Sequence, residues 1–203
     1  MSGLPNAVIF CATSRDGFIA RKNGSIDWLN EVNKLMPPDA GDCGFSAMMA
    51  SVDALLMGRK TFEQVVGFGK DMYPYGTTPL FIVTSQEDLA IPEHLDKTVK
   101  HLKIVNNGSE GSSNRLIPPT VALAELKKID QKINRVYIDG GFTAQQFLDA
   151  GLIVECVITE VPVTLGEGIP LFTTQAQRDR LEEQEELRIN WDCGFVQKRY
   201  VRK

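Results

Sequence analysis

The chain has 203 residues, and 22 Lys and Arg against 26 Asp and Glu give a formal net charge of −4 at pH 7. At about 150 residues per domain, this length favours one compact domain covering residues 1–203. Mild acidity is a poor electrostatic match for nucleic acid or for an anionic membrane, so we expect neither as a partner. Four cysteines without a C-x-x-C pair and only two histidines predict no metal site. No apolar run approaches about 18 residues and the N-terminus has no signal-peptide pattern, so a cytoplasmic protein is expected.

Short apolar runs alternate with helical patterns along the chain. The predicted strands are Ala7–Ala12, Asp53–Met57, Leu80–Thr84, Leu102–Val105, Arg135–Asp139, Glu155–Val161 and a terminal hairpin of Leu187–Trp191 and Phe195–Val201. The predicted helices are Cys43–Ala50, Thr61–Val66, Thr120–Lys132, Ala144–Ala150 and the highly charged Gln175–Glu186. This alternation predicts an α/β fold with a mixed, mostly parallel sheet of about eight strands, helices on both faces and a C-terminal antiparallel hairpin.

The longest polar stretch runs from Asn106 to Asn114 and is rich in Gly and Ser. Such a composition is typical of a linker between domains or of a mobile surface loop. Because neither side of it carries enough strands for a closed sheet, we favour the loop. The sequence leaves open whether this loop closes over a ligand.

Two turns between a strand and a helix carry candidate phosphate-binding groups. In the first, Gly58 lets the backbone approach a ligand, Arg59 and Lys60 bring positive charge, and Thr61 adds a hydroxyl at a helix N-terminus. A simple helix cap with two solvated basic residues would give the same pattern. The second turn, Asp139–Thr143, contains a Gly-Gly pair that either admits a pyrophosphate or forms a tight structural turn.

Both turns follow the carboxyl ends of predicted strands, where open α/β sheets bind their ligands. The strand end at Thr84 and Ser85 offers two further hydroxyls. If the three strands are neighbours, all of these groups converge on one site.

Several segments, in this order, resemble the reductase domain of the bifunctional riboflavin biosynthesis protein and its stand-alone relatives, within the dihydrofolate reductase-like superfamily. The residues that carry the resemblance are Ser14–Ala20, Asp27–Leu29, Ser51–Glu63, Val136–Gly141 and Thr159–Phe172. The resemblance implies a three-layer dihydrofolate reductase-like fold and an NADPH-dependent reductase that transfers hydride to a C=N bond. The zinc deaminase motifs of the bifunctional protein, H-x-E and P-C-x-x-C, are absent from this sequence.

The resemblance also implies a set of cofactor-binding residues. Residues Gly58, Arg59, Lys60 and Thr61 would hold cofactor phosphates, and Thr84 and Ser85 would lie beside the adenosine 2′-phosphate. The pyrophosphate and nearby ribose would contact Gly140, Gly141, Phe142 and Thr143. Ala12, Asp16 and Ile19 would border the nicotinamide. A 2′-phosphate needs donors and positive charge, which Arg59 and Lys60 supply, so NADPH is preferred over NADH.

The proton donor and the substrate contacts are inferred from the same resemblance. Asp42 falls at the position of the folate-reductase carboxylate, and Thr159 matches the threonine that hydrogen-bonds it. A half-buried carboxyl group there would have a raised pKa. Asp42 is equally well explained as a helix N-cap, and Asp39 and Glu160 are rival donors. Trp28 and Phe45 are predicted to line the substrate pocket, although both could be core residues.

The resulting hypothesis is an NADPH-dependent reductase of a pterin-like or ribosylamino-pyrimidine substrate, of the type that reduces 5-amino-6-(5-phosphoribosylamino)uracil in riboflavin biosynthesis. The alternatives are dihydrofolate reduction, a non-catalytic NADP-binding module and a structural dimerisation domain. Relatives of this fold often form homodimers, so a homodimer is expected by resemblance.

Overall fold

The computed structural model describes residues 3–36, 41–84, 88–95, 97–103 and 117–203, with the backbone alone for 101–103. Eleven strands are found among these residues. They are β1 Asn6–Thr13, β2 Phe18–Ala20, β3 Ala54–Gly58, β4 Leu80–Thr84, β5 Val99–Lys103, β6 Arg135–Asp139, β7 Ile153–Glu160, β8 Ile169–Pro170, β9 Leu181–Glu183, β10 Ile189–Asn190 and β11 Val196–Arg202.

Nine of these strands form one sheet in the order β10-β11-β7-β1-β6-β3-β4-β5, with β9 also paired to β11. From β7 to β5 every pair is parallel, and β11 runs antiparallel to β7. The strands β2 and β8 form a separate two-stranded antiparallel sheet. The central strands are apolar and buried on both faces, as parallel sheets covered by helices require.

Six α-helices accompany the sheet in the described part of the chain. They are α1 Asp27–Asn33, α2 Phe45–Ser51, α3 Arg59–Gly67, α4 Pro119–Ile129, α5 Gly141–Asp149 and α6 Gln175–Asp179. Side chains of α4 and α5 pack on one face of the sheet, and those of α2 and α3 pack on the other. A third apolar cluster joins Trp28 and Val32 of α1 to Val161 and Phe195. None of the helices in the described ranges is long and apolar enough to cross a membrane.

The predicted architecture is confirmed, with specific corrections. The sheet is mixed and mostly parallel, and the terminal hairpin forms through Ile189↔Gln197 and Asn190↔Val196. The predicted helix Gln175–Glu186 is wrong after Asp179, because Leu181 is buried and Leu181–Glu183 pairs with the end of β11. The sequence prediction also missed α1 and the β2–β8 pair. The stretch Asn106–Asn114 lies outside the described residues.

The register of the sheet brings the predicted site segments to one edge. In the parallel pair β3–β6, Met57 lies opposite Asp139, and in β3–β4, Gly58 lies opposite Val83. The residues that follow these positions therefore leave the sheet side by side at its carboxyl edge. Ala12 reaches the same edge on β1, where it pairs with Thr159 of β7.

Candidate active site

The two strand–helix turns at this edge pack against each other reciprocally. A Cβ added at Gly140 would lie 2.2 Å from the Thr61 hydroxyl oxygen, and one added at Gly58 would lie 3.3 Å from the Thr143 hydroxyl oxygen. Each threonine therefore occupies the space that the glycine of the opposite turn leaves free. The sequence analysis expected these groups to converge if their strands were neighbours. The strands β6, β3 and β4 are neighbours, and the β3–α3 and β6–α5 turns are in direct contact.

The helices α3 and α5 begin at this contact, and neither has a side-chain cap at its N-terminus. Neither N-cap residue, Gly58 or Gly140, provides a capping hydrogen bond, because neither has a side chain. The first amides of a helix have no partner within it, and they carry a positive partial charge. Two adjacent, uncapped helix N-termini therefore present several N–H donors and a positive field to the same place, which suits an anionic group.

The β1–β2 segment closes one side of this cradle. A Cβ added at Gly141 would lie 2.5 Å from Cδ1 of Ile19, so Ile19 packs directly on the Gly140–Gly141 turn. Asp16 accepts hydrogen bonds from the Ser14 hydroxyl at 2.6 Å and from the Gly166 amide at 2.7 Å. Asp16 is exposed, and these hydrogen bonds tie the β1–β2 segment to the 165–166 turn.

The two basic residues of the first turn differ in their contacts. Arg59 Nε lies 2.5 Å from Glu63 Oε1, and its Nη1 lies 3.0 Å from Asp88 Oδ1. The hydrogen bonds that Arg59 donates to Glu63 and Asp88 hold the pKa of Arg59 above its usual value. Lys60 is exposed and forms no ion pair with any described residue. Lys60 is therefore the cation that a phosphate could engage without displacing a carboxylate.

The remaining predicted cofactor residues occupy varied environments. Thr84 is buried at the end of β4, while Ser85 lies outside the described residues. Thr143 is buried against the Gly58 turn, and Phe142 is 62% exposed at the start of α5. An exposed aromatic ring beside free helix amides can lie against a bound ligand.

The expected raised pKa of Asp42 is wrong. Asp42 is exposed and accepts hydrogen bonds from the Ser46 amide at 2.7 Å and the Gly44 amide at 3.0 Å. Hydrogen bonds from the hydroxyl and amide of Ser46 hold the pKa of Asp42 below its usual value. The carboxylate therefore caps the start of α2, which is the alternative that the sequence left open.

Thr159 does not hydrogen-bond Asp42 as the resemblance implied. Its hydroxyl accepts a hydrogen bond from Gln197 Nε2 at 3.0 Å, and the same Nε2 donates to the Cys43 carbonyl at 2.8 Å. Gln197 thus links Thr159 to the backbone next to Asp42. The rival donor Glu160 is paired with Lys198 at 2.9 Å, and Asp39 lies outside the described residues.

The two predicted substrate residues lie on the face of the sheet that carries Ala12 and Thr159. Trp28 is 4% exposed, and its indole Nε1 is buried without a hydrogen-bond partner among the described residues. Phe45 packs edge-on against Phe10, with ring centroids 5.9 Å apart. An unpaired buried N–H is costly in a finished core, so the orphaned Trp28 donor is consistent with a ligand acceptor at this position.

Asp139 is the carboxyl group that the sequence interpretation passed over. One carboxyl oxygen accepts the Gly140 amide at 2.7 Å and the other accepts the Tyr75 hydroxyl. Burial raises the pKa of Asp139, although these donors oppose the rise. The signal in the sequence was an acid directly before Gly-Gly at the end of a buried strand, and only the fold shows Tyr75 beside it.

A sequence profile of the family described as the RibD C-terminal domain matches residues 5–193. YwjB of Bacillus subtilis (strain 168), an uncharacterized protein, is 31% identical over 199 residues, which cover 96% of this chain and 97% of YwjB. The match to the family extends across both turns of the cradle and across Trp28, Asp139 and Thr159.

Solved structures agree with the fold. A crystal structure from Shewanella sp. PV-4, of a candidate riboflavin biosynthesis protein, has a TM-score of 0.75 and 34% identity, covering 98% of this chain and 99% of that one. Dihydrofolate reductase from Enterococcus faecalis, complexed with NADP(H), has a TM-score of 0.58 and 14% identity, covering 98% of this chain and 96% of that one. The predicted dihydrofolate reductase-like fold is therefore confirmed.

Proposed function

The chain belongs to the RibD C-terminal domain family, a family of reductase domains, and we propose that it is an NADPH-dependent reductase that acts on a ribosylamino-pyrimidine. The reciprocal packing of Thr61 on Gly140 and Thr143 on Gly58 carries the proposal, because it builds one anion cradle from two uncapped helix N-termini. The family supports a reductase at the level of reaction type. The identity of cofactor and substrate is the proposed part.

The residues of the cradle fit a dinucleotide cofactor. The backbone at Gly140 and Gly141 is bare, and the first-turn amides of α3 and α5 would take the pyrophosphate. Lys60, Arg59 and Thr84 would surround the additional phosphate of NADPH, together with Ser85. Ala12 and Ile19 would form the apolar wall for the nicotinamide, which supplies the hydride when it is bound.

The 2′-phosphate preference depends on charge at this edge. Lys60 brings one cation, and Arg59 is shared with two exposed carboxylates. A phosphate near Arg59 therefore competes with Glu63 and Asp88 for the same guanidinium. A charge-assisted hydrogen bond to a phosphate is stronger than a neutral one, so NADPH is expected to bind more tightly than NADH.

Reduction of a C=N bond also requires a proton at the atom that does not receive hydride. Among the described acids at this edge, burial raises the pKa of the half-buried Asp139, whereas hydrogen bonds from Ser46 lower the pKa of Asp42. Burial favours the uncharged form of a carboxyl group, and a pKa shifted in this way marks a candidate acid. Asp139 also lies at the carboxyl edge of the sheet, beside the Gly140 turn, so we propose it as the proton donor and Asp42 as a helix-capping residue.

The substrate would lie on the side of the cradle lined by Trp28 and Phe45. The free indole N–H of Trp28 can donate to a carbonyl oxygen of a pyrimidine ring, and the rings of Phe45 and Phe10 offer an apolar wall. Thr159 and Gln197 stand behind this surface as a hydrogen-bonded pair. This arrangement suits a flat heterocycle with polar edges.

The cofactor is tested by titration of the purified protein with NADPH and with NADH, followed by ligand fluorescence and melting temperature. A ligand at 100 times its dissociation constant stabilises a protein by about 2.7 kcal/mol. We expect tight NADPH binding, weaker NADH binding, and a loss of the difference in Lys60→Ala. Lys22→Ala is the matched control, because Lys22 lies outside the cradle and pairs with Glu167.

The reaction is tested by NADPH oxidation with the ribosylamino-pyrimidine and, separately, with dihydrofolate. Turnover of the pyrimidine alone would support the proposal, and turnover of dihydrofolate alone would replace it with the alternative. Cofactor binding without turnover of either substrate would favour a non-catalytic NADP-binding module. Absence of any cofactor response would refute the reductase proposal. Sedimentation in the same buffer tests the expected homodimer.

A further inference from the structure

A second pocket, of about 190 Å³, lies on the other face of the sheet from Trp28 and Thr159. Its floor includes Thr13 at the end of β1 and Ile158 of β7. Successive side chains of a strand point to opposite faces, so Ile158 faces away from the side that Thr159 faces. The pocket therefore lies on the opposite face from the proposed substrate surface. Its lining includes Asp16, next to the cradle, but none of the residues of the Gly58 and Gly140 turns.

Three cationic side chains line this pocket: Arg15, Arg178 and Lys198. Within the described part of the chain, the guanidinium groups of Arg15 and Arg178 have neither an ion pair nor a hydrogen bond. Arg178 instead stacks on the ring of Phe172, with its central carbon 4.5 Å from the ring centroid. This cation–π contact holds the guanidinium beside the ring and leaves its N–H groups available to a ligand.

The acidic side chains of the pocket already have other partners. Glu160 accepts from Lys198 Nζ at 2.9 Å. Asp16 accepts from the Ser14 hydroxyl and from the amides of Leu165 and Gly166. Desolvation opposes the shift, but the hydrogen bonds, that from Ser14 being the strongest, lower the pKa of Asp16. Neither carboxylate neutralises Arg15 or Arg178, so the pocket has an excess of available positive charge.

We propose that this pocket binds the phosphate group of a small metabolite, held by the guanidinium groups of Arg15 and Arg178. Both guanidinium groups offer paired N–H donors that match phosphate oxygens. The aromatic side chains of Phe172 and Tyr200 supply walls for the part of the ligand that carries the phosphate. A volume of about 190 Å³ is below the range of about 300–1,000 Å³ for larger ligands, so a sugar phosphate fits and a dinucleotide does not.

The test is titration calorimetry with inorganic phosphate and with ribose 5-phosphate, in a buffer without other polyvalent anions. Arg178→Gln and Arg15→Gln each remove one guanidinium from the pocket, and Lys60→Ala removes a cation from the cradle. Arg202→Ala is the matched control, since Arg202 is exposed and makes one 3.4 Å contact with the Gly151 carbonyl. Because phosphate can also bind in the cradle, the comparison of these variants separates the two sites.

We expect ribose 5-phosphate to bind the wild-type protein and to bind Arg178→Gln and Arg15→Gln at least about tenfold more weakly. Affinity in Lys60→Ala and Arg202→Ala should equal that of the wild type. Equal weakening in Arg202→Ala would indicate nonspecific attraction to surface charge and would overturn the proposal. Unchanged affinity in both pocket variants, or no binding to the wild type at millimolar concentration, would overturn it as well.

A second measurement guards against misfolded variants. Amide chemical shifts of the wild-type protein are followed during the titration, and we expect the largest changes in the Ser14–Gly17 segment and at Tyr200. Changes confined to the Gly58 and Gly140 turns would place the ligand in the cradle and refute the second site. This measurement needs no substitution and is independent of NADPH turnover, so it can fail while the proposed reductase function stands.

Discussion

Gly140→Ala tests the packing on which the proposed cofactor cradle depends. The new Cβ would lie 2.2 Å from the Thr61 hydroxyl oxygen, 3.1 Å from its Cβ and 3.3 Å from its Cγ2. Gly140 also has φ +88° and ψ 137°, a conformation that alanine adopts at a cost of about 1–3 kcal/mol. Overpacking adds about 1–3 kcal/mol, so the expected loss of unfolding free energy is about 2–6 kcal/mol.

Removal of the Thr61 side chain should recover part of this loss. In Thr61→Ala the contacts at 2.2 and 3.3 Å disappear, and only the 3.1 Å contact with Cβ remains. We therefore expect the double variant Gly140→Ala/Thr61→Ala to lose about 1–3 kcal/mol less unfolding free energy than the sum of the losses in the two single variants. The cost of the backbone conformation remains, so the double variant should still be less stable than wild type.

The assay is urea unfolding of the four proteins in one buffer, together with NADPH titration. Gly58→Ala is the matched control: its φ of −80° suits alanine, and the nearest contact, with the Thr143 hydroxyl, is 3.3 Å. We expect Gly58→Ala to unfold within about 1 kcal/mol of wild type. Additive losses in Gly140→Ala and Thr61→Ala would refute the direct contact between the two turns.

Three further variants test the roles of charge and pH. Burial raises the pKa of Asp139 in the folded protein. Its contribution to stability is therefore present below the unfolded pKa of about 3.9 and is lost as the pH rises from there through the folded pKa. Asp139→Asn should flatten the pH dependence of urea unfolding between these two pKa values. The same variant should lose turnover more than NADPH affinity if Asp139 delivers the proton. Glu63→Gln removes one carboxylate from Arg59. Since exposed ion pairs contribute about 0.2–1 kcal/mol, calorimetry should show NADPH binding strengthened by about 1.4- to fivefold, with NADH binding unchanged. The pKa of Asp42 is lowered in the folded protein, so its contribution to stability is present above pH about 4 and is lost as the pH falls below that. The stability of Asp42→Asn should therefore depend less on acid pH than that of the wild type. Equal acid sensitivity of the two proteins would contradict the capping role.

The strands of the sheet and the glycine turns at its carboxyl edge could be predicted because each is visible in a short stretch of sequence. Buried strands such as Leu80–Thr84 are continuous apolar runs, and a glycine before a helix is visible in the chain itself. The stretch Leu181–Glu183 was mispredicted for the opposite reason. Its charged residues suit a solvated helix, and only pairing with Tyr200–Arg202 of β11 makes them a strand.

The environment of each candidate acid could not be predicted in the same way. Asp42 and Asp139 are both aspartates next to a helix start, and local pattern alone favours Asp42 through its count from Gly58. Their pKa values move in opposite directions because Ser46 donates to an exposed carboxylate in one case, while burial beside Tyr75 dominates in the other. Tyr75 is distant from Asp139 in the chain, so this difference arises only from tertiary structure.

The same reasoning applies to the basic residues and explains why the two anion sites need different tests. Arg59 and Lys60 are adjacent in sequence, yet the carboxylates of Glu63 and Asp88 occupy only the former. Arg15 and Arg178 are far apart in the chain, and the fold brings both to one pocket without such partners. Available charge is therefore a property of pairing in three dimensions. A cationic side chain without a carboxylate partner should therefore contribute more to phosphate affinity than one that is already paired.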